Sequence, residues 1–260
     1  MKYSILAANC GRLDAYEIKC YANRLGDVFD YFKGNHNKRC NIILKDSTIP
    51  DYFFEQVNFI KETVEDYTIA VSRFETLKRL LKEGYNAYFA YPINDWETFN
   101  NLKALGVSDI VIDGALGFQL KNIHKVKDNV KIRVSPVISA NAALAPENSF
   151  NEYSFFIRPE DLNLYQDYID IIDFQAETST QEKTYFDIYN RGSYDYDLSL
   201  LIRYLHVKAP NSFIPKDFGS RRIDCDQRCQ DPTRHCHFCH IALKIANDLY
   251  STFKEYNRNN

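Results

Sequence analysis

The chain is 260 residues long with a net charge of −3, and its 45% hydrophobic and 26% charged residues are the balance of an ordinary globular fold that can bury a sizeable core. That charge excludes a molecule held to nucleic acid by its overall field, and no apolar run approaches the length needed to cross a bilayer. The N-terminus lacks an apolar run of signal-peptide length, so the sequence predicts a cytoplasmic protein with no membrane partner.

Residues 3–8 are a β-branched and aromatic run suited to a buried strand, ending at Asn9 and Cys10. Ile18, Tyr21, Leu25, Val28, Phe29 and Phe32 then fall near helical spacing and predict a helix closed by Gly34. Further strands are predicted at 40–44, 67–71, 86–90, 109–112, 130–134, 154–157 and 169–172. Helical patterns separate most of them. One starts near Pro50 and buries Phe53, Phe54, Val57, Phe59 and Ile60; another runs over 74–83 and stops at Gly84; a third is capped by Asn94 or Asp95 and stops at Gly106. A fourth contains Phe118, Leu120 and Ile123, and a fifth opens at Pro159-Glu-Asp and runs to 168. Residues 138–150 read as loop, and helices follow at 181–189, 197–205 and 241–256.

Parallel neighbours need a crossover of helix length, and eight such units are what a closed barrel requires. The pattern therefore predicts an α/β fold, a (β/α)8 TIM-type barrel over residues 1–200 with a C-terminal metal-binding extension over 201–260 docked on it. An open doubly wound sheet is the alternative.

In a parallel barrel the chemistry collects at the C-terminal ends of the strands. There the sequence places Asp113, Arg133, Arg158, Glu160 and Asp173 as candidate catalytic residues, and Ser135, Asn141 and Gln175 as candidate substrate-binding residues. Strand parity puts Asp113 on one face with Val111, Arg133 with Ser135, and Asp173 with Gln175. If those faces point inward, acids and bases meet in one cup, shift one another's pKa and bind a polar or anionic substrate. Buried ion pairs that merely close the barrel are the competing reading. Cys10 reads as an apolar filler, Cys20 and Cys40 as bystanders, and Trp96 as helix-to-barrel packing.

Cys225, Cys229, Cys236 and Cys239 crowd into fifteen residues as C-x3-C-x6-C-x2-C, a density that packing does not require. Close thiolates suit zinc or an iron–sulfur cluster, and spacing alone separates the two poorly. His235, His237 and His240 are alternative ligands, and Cys236-His-Phe-Cys239-His240 also reads as a haem-attachment pattern, which normally accompanies export. Arg203, Lys208, Lys216, Arg221, Arg222, Arg228 and Arg234 gather around this segment, either as a nucleic-acid-binding face or as a solvated surface balanced by Asp217, Asp224, Asp226 and Asp231.

Leu105-Gly-Val-Ser-Asp-Ile-Val-Ile-Asp-Gly-Ala-Leu-Gly117, Lys131-Ile-Arg-Val-Ser-Pro-Val-Ile-Ser-Ala-Asn141 and Phe155-Phe-Ile-Arg-Pro-Glu-Asp-Leu162 resemble the fifth, sixth and seventh barrel strands, with their turns, of the U32 peptidase (collagenase-like) family. The resemblance covers about a quarter of the chain. It implies a barrel whose mouth carries Ser135, Asn141, Arg158 and Glu160 beside a four-cysteine iron–sulfur cluster, and an enzyme acting on a polar, RNA- or nucleotide-derived substrate, with oxygen-independent hydroxylation as one reaction. Two other readings stand beside it. One is a base-exchange enzyme similar to the tRNA-guanine transglycosylases with a structural zinc; the other is a non-catalytic barrel that serves as a binding or assembly module.

Overall fold

Eight strands form one sheet in which every ladder is parallel, in the order β5-β4-β3-β2-β1-β8-β7-β6. The computed structural model describes residues 2–10, 13–44, 49, 52–136, 155–174, 176, 178–192, 214, 216–223, 248, 251, 252 and 255. The strands are β1 (Tyr3–Leu6), β2 (Glu17–Tyr21), β3 (Arg39–Leu44), β4 (Tyr67–Val71), β5 (Ala87–Phe89), β6 (Asp109–Ile112), β7 (Lys131–Val134) and β8 (Ile171–Asp173). The helices are α1 (Phe29–Lys33), α2 (Phe53–Thr63), α3 (Phe74–Lys82), α4 (Trp96–Ala104), α5 (Gly114–Gly117), α6 (Leu120–Val126), α7 (Leu162–Tyr165), α8 (Ser179–Arg191) and α9 (Phe218–Ile223).

Chain order is preserved around the sheet, and its two edges meet. Ile93, just past β5, bridges to Ile112 of β6, and Ser108 N donates to Ala87 O at 3.0 Å. The Thr68 and Ser108 hydroxyls lie 2.6 Å apart across the same seam. The result is a nearly closed α/β barrel of the TIM type, as the strand count predicts.

Three helix boundaries follow the sequence signals closely. Asp95 caps α4 by accepting from Thr98 N at 2.8 Å. Gly84 and Gly106, which follow α3 and α4, take φ of 81° and 77°, a left-handed conformation open to glycine at little cost.

Two predicted elements are corrected. The stretch read as one helix from Ile18 to Phe32 begins as strand β2, passes through a 3-10 segment, Ala22–Val28, and becomes helical only at α1. The misreading has a physical source: Ile18 and Tyr21 fit a helical stripe, yet Ile18 and Cys20 turn outward while Glu17 and Lys19 turn into the barrel. The strand predicted at 154–157 is not part of the sheet. Phe155, Phe156 and Ile157 are buried without a ladder, and Ile157 N donates to Pro136 O at 3.1 Å. Their apolarity is used by rings instead: Phe155 meets Phe118 edge-on at 5.7 Å, and Phe156 stacks on Phe218 of α9 at 5.7 Å. Gly117 permits this approach, since a Cβ there would lie 2.3 Å from the Phe155 ring.

The outward faces of the strands pack beneath the helices. Ile5, Ile18, Cys40, Ile42, Ile69, Ile110, Ile132 and Ile172 are buried there with Val57, Leu77, Phe99 and Ile123 from the helices. From the predicted extension, Ile214 and Phe218 are buried in the same core. The helix predicted at 197–205, the loop at 138–150 and the cysteine segment lie outside the described residues, as does most of 241–256, whose described positions 248, 251, 252 and 255 are helical. No described helix is long and apolar enough to cross a membrane.

Candidate functional site at the barrel mouth

The inward faces of the strands carry buried charged and polar side chains beside a few aliphatic ones. Register places Glu17 beside Arg39, Lys19 beside Asn41, Asn41 beside Thr68, and Val111 beside Arg133. Glu17, Lys19, Arg39, Asn41, Thr68, Tyr88, Asp109, Arg133 and Asp173 are all buried. Such groups persist in an interior only when paired.

Arg39 holds Asp109 with two hydrogen bonds, Nη1 to Oδ1 at 2.6 Å and Nη2 to Oδ2 at 2.7 Å, and reaches Glu17 Oε2 at 3.2 Å. Arg133 holds Glu17 in the same forked manner, at 2.8 and 2.6 Å, and touches Asp109 and Asp173 at 3.3 Å. Ser4 Oγ and Asn41 Nδ2 complete the shell of Glu17 at 2.5 and 2.9 Å. Burial by itself would raise the pKa of Glu17 and Asp109, but the two guanidinium groups outweigh it and hold both carboxyls below their usual range. Asn41 also donates to Tyr88 Oη at 2.9 Å, and the Arg133 guanidinium lies 4.8 Å from the Tyr88 ring centre. Burial raises the pKa of Tyr88, which keeps it a neutral phenol at pH 7. Two buried donors of the network, Arg39 Nε and Arg133 Nε, make no hydrogen bond, although Arg39 Nε lies 3.3 Å from Asp66.

Nearer the mouth, Lys19 Nζ donates to Asp173 Oδ1 at 2.7 Å and lies 3.3 Å from Glu182 Oε1 of α8. Burial opposes the charge on Lys19, but Asp173 and Glu182 prevail and raise its pKa, so it is a fixed ammonium ion rather than a nucleophile. Glu182 Oε2 accepts from Leu6 N at 2.7 Å and Asn9 Nδ2 at 2.8 Å, which ties α8 to the end of β1.

Above this network lies a cavity of about 290 Å3, lined by Lys19, Arg133, Asp173, Tyr21, Tyr88 and Tyr91, with Leu6, Ile43, Ala70, Ala90 and Val111 as apolar wall. It opens at the C-terminal ends of the strands.

Of the residues chosen from sequence, Arg133 and Asp173 meet in this mouth, 3.3 Å apart. Asp113 and Ser135 follow β6 and β7 and are half-buried, outside the cavity lining. Arg158 and Glu160 belong to a second cluster. There Arg158 Nε donates to Asp161 Oδ2 at 2.6 Å, lies 3.4 Å from Glu160, and Nη2 donates to Lys216 O at 2.8 Å. Arg158 misses the mouth because the segment preceding it is not a barrel strand. Asn141, Gln175 and all four candidate metal ligands, Cys225, Cys229, Cys236 and Cys239, lie outside the described residues. Among the described residues no group of three or more His, Cys, Asp or Glu side chains is placed to hold a metal.

Of the basic residues near the C-terminus, Arg222 is buried, its guanidinium 4.2 Å from the ring centre of Phe118 and 4.6 Å from that of Phe218. Arg221 is exposed and paired with Asp217 at 2.6 Å. Cys20 and Cys40 are buried free thiols on outward strand faces, and burial pushes Cys20 up to about 12, far from a reactive thiolate. Trp96 donates to Gln119 Oε1 at 2.8 Å and packs edge-on against Phe99.

Glu17, Lys19, Arg39, Tyr88, Asp109 and Glu182 were not singled out from sequence. The signal was present in Glu17-Ile-Lys-Cys20 and Arg39-Cys-Asn-Ile42, where polar and apolar residues alternate with the period of a strand. Compared with models of protein families, with curated proteins and with solved structures, the chain matches none.

Proposed function

We propose that the protein is an enzyme that works at the mouth of its barrel on a small polar molecule, in keeping with the resemblance to the U32 family. The observation that carries this reading is the cavity itself: three charged side chains line it, and each is already immobilised by partners below. Groups fixed before substrate arrives need no reorganisation during the reaction, which is the main source of electrostatic catalysis. Asp173 is the carboxylate that meets the substrate and exchanges a proton with it. Lys19 and Arg133 hold Asp173 in one orientation and stabilise negative charge that develops beside it. The open cavity favours an enzyme over a non-catalytic module, which would have its mouth closed by ion pairs and apolar side chains.

The four-cysteine segment belongs to this proposal as a zinc or iron–sulfur site, on the strength of its spacing. No step at the mouth is routed through it. Iron, zinc and sulfide analysis of protein purified without oxygen, beside a Cys229→Ser variant, decides its content.

The mouth is tested by thermal-shift screening of polar metabolites against the protein and against Ala90→Trp, which fills the cavity from its rim. A compound that stabilises only the unmodified protein is then assayed for turnover, and Asp173→Asn is expected to lower that turnover about a hundredfold or more. Compounds that stabilise both proteins equally would place the site elsewhere.

A further inference from the structure

We propose that the molecule received at the mouth is an amide: an uncharged compound that offers a carbonyl oxygen and an adjacent N–H along one edge, as a primary carboxamide or a lactam does. This rests on the mouth being the functional site and adds the chemical group that the site takes.

The first support is a donor with an N–H to spare. An ammonium group carries three N–H bonds. Lys19 Nζ gives one to Asp173 Oδ1 at 2.7 Å, and Glu182 Oε1, 3.3 Å away, can be counted as a second acceptor. No described residue accepts the third, although Lys19 is buried and lines the cavity. A buried N–H without an acceptor is costly, so a ligand oxygen that accepts it is favoured. Arg133 offers less to a ligand, because both of its terminal nitrogens are engaged by Glu17, with Asp109 and Asp173 at longer range.

The second support is an acceptor beside that donor. Asp173 lines the same cavity, and a carboxylate, with about four lone-pair directions, takes several donors at once. The lining therefore presents a donor and an acceptor side by side, Lys19 Nζ and Asp173 Oδ1, 2.7 Å apart. The oxygen and nitrogen on one edge of an amide are about 2.2 Å apart, as the lengths of the bonds joining them require. Such an edge meets Lys19 and Asp173 with two roughly parallel hydrogen bonds and leaves their own ion pair intact.

The third support is what a charged ligand would meet. A carboxylate that accepts from Lys19 comes against Asp173, and an ammonium ion that donates to Asp173 comes against Lys19; what one member of the pair attracts, the other repels. An amide carries the donor and the acceptor without the charge. Tyr21, Tyr88 and Tyr91 with Ile43 and Val111 line the rest of the space, which suits the hydrocarbon body of the ligand, and about 290 Å3 suits a compound with one ring.

The test is isothermal titration of the full-length protein at pH 7 with four probes of similar shape: benzamide, acetophenone, benzoate and benzylamine. Benzamide is expected to bind at least about tenfold more tightly than acetophenone, which lacks the N–H, and than either ion. Lys19→Met, which removes the donor, should weaken benzamide by at least about tenfold. Ala90→Trp, outside the ion-pair network, should abolish benzamide binding and keeps the test open if Lys19→Met fails to fold. Acetophenone, benzoate or benzylamine binding as tightly as benzamide overturns the amide, and loss of that binding in Ala90→Trp leaves the mouth as the site. Benzamide binding that a folded Lys19→Met or Ala90→Trp leaves unchanged also overturns it. Binding of none of the four overturns the amide, and if the metabolite screen is silent too, the mouth falls with it.

Discussion

The two faces of the same strands solve the burial problem in opposite ways. Outward, Ile18, Ile42, Ile69, Ile110, Ile132 and Ile172 meet the helices through interchangeable apolar contacts. Inward, where barrels of this type usually stack branched aliphatic side chains, Glu17, Arg39, Asp109 and Arg133 form a closed set of ion pairs. An aliphatic layer degrades gradually when one member is trimmed. A buried ion network does not, because each deletion leaves a partner charged and without solvent. What the inner face offers in return is position: side chains that cannot rearrange can present Asp173, Lys19 and Arg133 to the mouth in one geometry.

Acid should expose this contrast most strongly. Glu17 and Asp109 have folded pKa values below those of the unfolded chain, so the stability they contribute is complete above the ordinary carboxylate range of about 4 and is lost as pH falls through the depressed folded values. Lys19 is shifted upward, so its contribution is present below the ordinary lysine value of about 10.4 and is lost only as pH rises through the folded value. Urea unfolding should therefore show a plateau between about pH 5 and 10 and a steep fall below about pH 4, ending in unfolding. A midpoint that barely moves down to pH 3 would mean that the interior charges do not hold the barrel.

Arg133→Met comes next. It keeps the bulk of the side chain but leaves Glu17 without its fork, and should cost about 3–5 kcal/mol by urea denaturation. Ile110→Ala on the outward face should cost about 2–4 kcal/mol, through lost burial and an incompletely closed cavity, with no added pH dependence. If Arg133→Met proved as stable as the unmodified protein, the inner face would be no more demanding than the outer one. The smallest effect belongs to a position outside both faces. Gly106→Ala puts a Cβ on a residue at φ 77° and should cost about 1–2 kcal/mol, seen as a small drop in Tm with the mouth unchanged.

Much of the outward architecture was legible because it depends on local rules. Apolar runs at 67–71 and 109–112, the Asp95 cap, and the glycine stops at 84 and 106 each state their structure within a few residues. The inward architecture was harder to read. Glu17 and Lys19 in a strand look like the polar side of a helix until their partners, Arg133 and Asp173, are brought across from more than a hundred residues away. Phe155 and Phe156 show the converse error, since an apolar run announces burial but does not say whether a strand or a ring will cover it.

The sequence by itself pointed to alternating strands and helices and a parallel sheet, although its count of eight took in 154–157 and passed over β2, and it placed Arg133 and Asp173 at strand ends on faces that could point inward. Tertiary structure decided that they meet, that Lys19 joins them, and that Arg158 and Glu160 belong to another cluster. The reason is range. Helix caps, glycine stops and strand alternation are settled by neighbours in the chain, whereas an ion pair inside a barrel depends on closure, which brings distant strands within hydrogen-bonding distance and removes the water that would otherwise hold each charge apart.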